Sequence, residues 1–399
     1  MIASLNPVTS SAPASIRDLP TPSALLDGSR LDRNIARMQA QANRLGVRLR
    51  PHVKTAKSLP VARRQIECGA SGITVSTLKE AEQFHAAGVT DILYAVGVAP
   101  NKFGAVLDLR RRGCNLKLVT DSLDIAGALA GYGRAHGHHF ELLIEIDSDG
   151  HRAGVRPDDP LLLQIAAALE AGGREAGGGA LLAGVMTHAG GSYELDTEAA
   201  LVRMAEQERS RCVDAARRLR EAGHACPIVS VGSTPTALSA VSLDGVTELR
   251  AGVYVFFDLV MANVGVCALD DIAMSVLTSV IGHQPSKGWA IVDAGWMAMS
   301  RDRGTQSQRR DYGYGQVCDA HGKPIDGLVL HAANQEHGIV GFADAAAGAG
   351  GEDIRRLLPV GTLLRILPNH ACATATQFDR YHLLDEAGGI DVWPRFSGW

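Results

Sequence analysis

A (β/α)₈ TIM barrel followed by a mainly β domain, α/β in class, is the fold this sequence predicts, and three observations predict it. From about residue 20 to 265 one phrase recurs: a short β-branched or leucine-rich run, a polar or glycine turn, then a helical stretch rich in Ala, Leu, Arg and Glu. Eight such runs occur, and eight parallel strands alternating with helices close into a barrel that keeps its chemistry at the carboxyl ends of the strands. After about residue 268 the helical stretches stop, while short apolar runs between Gly, Pro, Asp and Asn continue.

The opening segment, rich in Ser, Ala and Pro, lacks the basic start and apolar core of a secretory signal and reads as a flexible tail over 1–19. The barrel takes 20–267, with strands expected at 49–53, 72–76, 91–96, 116–120, 141–147, 182–187, 228–232 and 248–256. Helices fill the gaps, as at 78–87 and 198–222, where apolar residues recur three and four apart. The glycine cluster at 172–179 reads as a flexible connection. An open, doubly wound sheet explains the same alternation, and the count of eight favours closure. The β domain takes 268–399, with strands expected at 273–281, 289–292, 327–330 and 363–367.

With 399 residues, 46% of them hydrophobic, the chain can bury the cores of about two domains. Its 39 basic and 43 acidic residues leave a formal charge of −4 with no basic cluster, so neither nucleic acid nor a membrane surface is an expected partner. No run is long enough to span a bilayer. Seven cysteines stand singly, without metal-ribbon or redox spacing, which fits a reducing cytoplasm.

Chemistry is expected first at Arg50-Pro51-His52-Val53-Lys54-Thr55. A solvated lysine is the ordinary reading of Lys54, but the carboxyl end of the first barrel strand is where an amine can form a Schiff base with a carbonyl cofactor. The loops after strands seven and eight are where barrels cradle phosphate, and Gly232, Ser233 and Thr234, with Gly252 and Tyr254, supply the glycine and hydroxyl chemistry there. A plain turn would read the same way. Pyridoxal phosphate meets both demands. Arg152, after strand five, is either a salt-bridged surface residue or a guanidinium that keeps the cofactor's pyridine nitrogen unprotonated. His188, after strand six, either contacts the cofactor or is a satisfied structural histidine.

His370 and Cys372 stand two apart, so in an extended segment both would face the same side and could bind one ion. Two ligands are too few for a closed structural site and leave positions open for a Lewis acid; imidazole and thiolate suit zinc best, with manganese, cobalt, nickel or magnesium as alternatives. Tyr193, Gln335 and Arg303 lie in loops that could reach the substrate.

These residues, with G-I-T-V-S-T-L-K-E-A-E at 72–82, V-G-S-T-P-T at 231–236, A-N-Q-E-H-G at 333–338 and P-N-H-A-C at 368–372, give a chain that resembles the D-serine dehydratase and D-threonine aldolase family. These are fold-type III pyridoxal phosphate enzymes related to the alanine racemases, and the resemblance runs from about Leu19 to the C-terminus. It implies that Lys54 carries the cofactor, that His370 and Cys372 bind the divalent metal, and that the protein is a homodimer acting on a small D-3-hydroxy amino acid. Dehydratases of this type have Cys at the second metal position where the aldolases typically have Asp, so Cys372 implies elimination. The expected reaction gives oxaloacetate and ammonia from 3-hydroxyaspartate, or pyruvate and ammonia from D-serine. A retro-aldol cleavage, a racemase and a non-catalytic cofactor-binding protein are the alternatives.

Overall fold

The computed structural model describes residues 15–171, 177–343 and 353–399. Most of the expected tail and of the 172–179 connection therefore lies outside the described residues. Ile16–Asp18 form a 3-10 turn capped by Ser15.

Eight parallel strands form the first sheet: β2 (Arg48–Leu49), β3 (Ile73–Val75), β4 (Asp91–Tyr94), β5 (Asn115–Thr120), β6 (His139–Glu145), β7 (Gly179–Met186), β8 (Ile228–Val231) and β9 (Glu248–Leu249). Each pairs with its neighbour in sequence, β9 returns to β2, and a parallel bridge between His52 and Thr74 joins β2 to β3. The sheet is thus closed, as the count of eight requires. Seven helices follow the strands: α2 (Leu59–Glu67), α3 (Leu78–Ala86), α4 (Phe103–Arg111), α5 (Leu123–His136), α6 (Leu161–Glu170), α7 (Glu198–Glu221) and α8 (Thr234–Ser239).

An earlier helix, α1 (Gly28–Arg44), packs against both α2 and α8 and completes the ring. Its buried Leu31, Ile35, Met38 and Ala42 recur four, three and four apart, and Asp27 caps its first turn by accepting from Arg30 N at 3.0 Å.

β1 (Ser23–Asp27) does not join this barrel. It pairs with strands of the second sheet, which contains β10 (Met274–Gln284), β11 (Trp289–Val292), β12 (Gly315–Cys318), β13 (Pro324–Ala333), β14 (Gly338–Phe342), β15 (Leu363–Pro368), β16 (Arg380–Leu384) and β17 (Ile390–Pro394). The order β11-β14-β13-β12-β15-β10 closes through a β10–β11 pairing, so six strands make a second, smaller barrel. A bulge between Val280 and Gly282 bends β10, so that its first half pairs with β1 and β15 and its second half with β11. β1, β16 and β17 extend from it.

The last barrel strand is shorter than the expected 248–256. Single bonds continue the ladder, from Arg50 N to Leu249 O at 2.9 Å and His52 N to Ala251 O at 2.8 Å. The chain then turns at Val253, whose carbonyl accepts from Phe256 N at 3.1 Å and Phe257 N at 2.7 Å. This turn brings the backbone of Gly252 and Val253 across the mouth of the barrel.

Candidate active site

A cavity of about 940 Å³ opens at the carboxyl ends of the barrel strands. Barrel loops supply Lys54, Arg152, His188, Tyr193, Gly232, Ser233, Thr234 and Gly252, and the β domain supplies Asp302, His370 and Cys372. The structure thus brings the lysine and the His-x-Cys pair, more than 300 positions apart in sequence, into one space.

Lys54 stands in the turn after the His52–Thr74 bridge, with its side chain accessible from the cavity. Burial, together with the positive charges of Lys54 and Arg250, holds His52 well below the usual imidazole range. His188 is pushed down to about 3, mainly by burial, with the Lys54, Arg250 and Arg152 cations adding to it. Its Nδ1 lies 3.1 Å from the Gly232 carbonyl, so the neutral ring donates Nδ1–H there and keeps the Nε2 lone pair. Arg152 donates to Glu145 Oε1 at 3.0 Å across the cavity wall.

The loops after β8 and β9 make a cradle of backbone. Gly232 has φ +131, and a Cβ there would strike the Arg250 carbonyl, so only glycine lets these loops approach so closely. Ser233 caps α8: its hydroxyl accepts from Thr236 N at 3.3 Å, and its own N–H donates to Thr236 Oγ1 at 2.9 Å. Among the described residues, the N–H groups of Gly252 and Val253 meet no protein acceptor. A Cβ on Gly252 would lie 3.1 Å from the His52 carbonyl and 3.3 Å from Thr55 Oγ1, closing the floor. Behind the cradle, buried Glu208 of α7 accepts from Ala189 N at 2.8 Å and Gly232 N at 3.2 Å. Burial raises its carboxyl to about 7 against these hydrogen bonds.

The His-x-Cys pair does not sit in an extended segment. His370 is the N-cap of the short helix Ala371–Ala375, and Cys372 lies in its first turn. The two side chains still come together on the cavity wall, close enough for the charge of each to act on the other. Asp302 Oδ2 accepts from His370 Nδ1 at 2.6 Å, leaving Nε2 for Cys372. Burial opposes charge on both groups, yet the neighbouring thiolate and Asp302 push His370 up to about 11, and the imidazolium draws Cys372 below the usual thiol range. Thr55 Oγ1 lies 3.2 Å from Cys372 Sγ, so the residue after Lys54 touches the pair. Asp258 anchors the helix, accepting from Ala371 N at 2.9 Å. Neither Asp302, Thr55 nor Asp258 carries a local sequence signal for this role, since each acts from a distant segment.

Three expected site residues lie elsewhere. Tyr254 is fully buried with its hydroxyl accepting from Gln65 Nε2 at 2.8 Å, and only its N–H, 3.2 Å from Thr234 Oγ1, faces the cradle. Arg303 is turned away by an ion pair with Asp311 at 2.8 Å and a stack on Tyr314 at 5.4 Å. Gln335 is exposed in the β13–β14 connection, where its carbonyl accepts from Met297 N at 3.1 Å. Tyr193 does line the cavity, and burial lifts its phenol above the usual range.

Comparison with known proteins accords with this geometry. The alanine racemase N-terminal domain family matches residues 26–260 and a serine dehydratase domain family matches residues 273–384. The chain is 63% identical over 382 residues to D-threo-3-hydroxyaspartate dehydratase from Delftia sp. (strain HT23), covering 96% of this chain and 98% of that protein. The chain belongs to this family of fold-type III pyridoxal phosphate enzymes. A second family member, D-threonine aldolase from Arthrobacter sp, is 29% identical over 378 residues, 94% of this chain and 91% of the aldolase. The solved structure of the Delftia dehydratase superposes with a TM-score of 0.93 at 61% identity, covering 96% of this chain and all of that one. Two variants of it have also been solved, one with a histidine replaced by alanine and one, in the metal-free form, with a cysteine two positions later replaced by alanine.

Proposed function

We propose that the protein is a pyridoxal phosphate- and divalent-metal-dependent dehydratase that converts D-threo-3-hydroxyaspartate to oxaloacetate and ammonia, with D-serine as a second substrate. The observation that carries this reading is the meeting of Lys54 with His370 and Cys372 in one cavity of a chain so similar to the Delftia dehydratase. The residues fit both groups. A lysine amine, a neutral imidazole and two free backbone N–H groups suit an aldehyde cofactor with a phosphate. An imidazole whose far nitrogen is held by a carboxylate, beside a thiolate, suits a metal with open positions. Among the described residues no group of three or more His, Cys, Asp or Glu could hold an ion, so substrate and water would complete the shell. Zinc suits the donors best. The metal-free cysteine-to-alanine variant of a D-threo-3-hydroxyaspartate dehydratase supports giving Cys372 this role.

When bound, the cofactor supplies an electron sink for the α-carbon and the metal a Lewis acid for the departing hydroxyl oxygen. Lys54 Nζ would hold the cofactor and would take the proton from Cα. If Arg152 faces the ring nitrogen, its guanidinium, which does not readily yield a proton, would weaken the sink and leave more of the work to the β-hydroxyl end. There Asp302 would fix the His370 ring through Nδ1–H, leaving Nε2 to the metal once its proton is lost, and Thr55 would steady the Cys372 thiolate. The substrate loses a proton from Cα and hydroxide from Cβ. The released enamine tautomerises and takes up water as ammonia leaves, so one substrate gives one oxaloacetate and one ammonia.

Lys54→Ala is expected to remove both turnover and the absorbance of lysine-bound cofactor; turnover that survives would refute the assignment. A chelator is expected to stop ammonia release while cofactor stays bound. Product analysis separates elimination from cleavage: oxaloacetate supports the dehydratase, and glyoxylate with glycine would make the protein an aldolase. A homodimer in a cytoplasmic setting completes the proposal. All seven cysteines are free, which accords with a reducing compartment, and light scattering on the pure protein tests the dimer. No helix among the described residues is long and apolar enough to cross a membrane.

A further inference from the structure

The β-carbon of 3-hydroxyaspartate bears both the hydroxyl that leaves and the second carboxylate, whereas in D-serine that carbon bears the hydroxyl and two hydrogens. Whatever binds the carboxylate must therefore stand beside His370 and Cys372. Four cationic side chains line the cavity: Lys54, Arg152, Arg250 and Arg309. Lys54 is the amine of the reaction. Arg152 is paired with Glu145, and buried Arg250 is spent on Ser230 Oγ at 2.8 Å and the Thr187 carbonyl. Arg309 forms no ion pair among the described residues; one of its guanidinium nitrogens, Nη2, donates to the Ala262 carbonyl at 3.0 Å, which leaves the remaining N–H groups free.

The segment that carries Arg309 is the one that holds the metal pair. Asp302 grips His370, and Thr305 Oγ1 donates to Asn369 Oδ1 at 3.0 Å. Asn369 Nδ2 in turn donates to the Gly313 carbonyl at 2.7 Å, so both ends of the loop are pinned to the residue before His370. Between these pins, buried Asn263 donates to Gln308 Oε1 at 3.0 Å and to the Arg310 carbonyl at 2.8 Å, holding the side chain before Arg309 and the backbone after it. A planar guanidinium with free donors, on a loop fastened around the hydroxyl-binding residues, matches a carboxylate on the carbon that bears that hydroxyl.

We infer that Arg309 binds the second carboxylate of the substrate and sets the preference for 3-hydroxyaspartate over D-serine. This rests on the dehydratase reading above and names a specificity residue within it.

The test uses the full-length holoenzyme with Arg309→Gln and Arg309→Lys. The ratio of kcat/KM for D-threo-3-hydroxyaspartate to that for D-serine should fall by about 10- to 100-fold in Arg309→Gln, with partial recovery in Arg309→Lys. A binding readout runs beside it with malate and 3-hydroxybutyrate, which differ only in carboxylate or methyl on the hydroxyl-bearing carbon. Calorimetry should show wild-type protein preferring malate, and Arg309→Gln losing that preference by a similar factor. An unchanged ratio, equal losses on both substrates, or a malate preference that survives in Arg309→Gln would each overturn the inference. Wild-type protein that releases no ammonia from 3-hydroxyaspartate but still loses its malate preference in Arg309→Gln would instead sink the dehydratase reading and leave the carboxylate site standing.

Discussion

Asp302 shows how much of this site is set by residues that carry no motif. It lies 68 positions before His370 and approaches it at 2.6 Å, fixing the tautomer and direction of the one imidazole that faces Cys372. Asp302→Asn should retain the fold and weaken metal affinity by about 10- to 100-fold, with activity restored at high metal concentration, as for other partners that orient a ligating histidine. Metal titration followed by ammonia release measures this, and an affinity equal to wild type would show that Asp302 is not an orienting group. That Lys54, His370 and Cys372 would line one site was legible because their chemistry is rare at such places in a sequence. The side chains of Tyr254, Arg303 and Gln335 do not line the cavity, because a side chain's direction depends on neighbours that local sequence does not name: Gln65, Asp311 and the backbone at Met297.

At the scale of elements, the turn that carries Lys54 is held less by its own barrel than by the far end of the chain. Tyr381 of β16 donates its hydroxyl to Ala56 O at 2.7 Å, and the carbonyl of Pro394 in β17 accepts from Ser58 Oγ at 2.9 Å. Phe396 N donates to Lys57 O at 2.6 Å while its ring packs edge-on against Phe84 of α3 at 5.1 Å. With Thr55 on Cys372, the turn from 55 to 58 is tied to the β domain at each residue, which fixes the lysine relative to the metal pair. Tyr381→Phe leaves a buried carbonyl unpaired and should cost about 1–3 kcal/mol in denaturant unfolding, with a lower kcat; a variant of wild-type stability and rate would show that this bond does not position the turn. The strand–helix alternation was readable from periodicity, and all eight barrel strands lie within or overlap the expected runs. β1, β12, β14, β16 and β17 were not predicted, because short strands among turn residues draw their stability from partners far away in sequence.

For the whole molecule, the buried carboxylate behind the cofactor cradle couples folding to pH. Glu208 titrates at about 7 in the folded protein against an ordinary value of 4.5, so its protonated form is favoured by folding. The stability this gives is fully present below about pH 4.5 and is lost as pH rises through about 7, on the order of 3 kcal/mol in all. Glu208→Gln should flatten the stability profile between about pH 5 and about pH 8. Unfolding curves at both pH values check this, and a profile unaltered by the substitution would show that Glu208 does not carry it. The sequence by itself determined the barrel and the second β domain, and it singled out a lysine and a His-x-Cys pair, because hydrophobic period and residue chemistry are local properties. Only the tertiary structure decided that β1 belongs to the second sheet, that the C-terminal hairpin holds the lysine turn, and which cavity arginine is left without an ion pair among the described residues. Each of these depends on contacts between segments far apart in the chain, and a charge is available to substrate only when folding has left it without a partner.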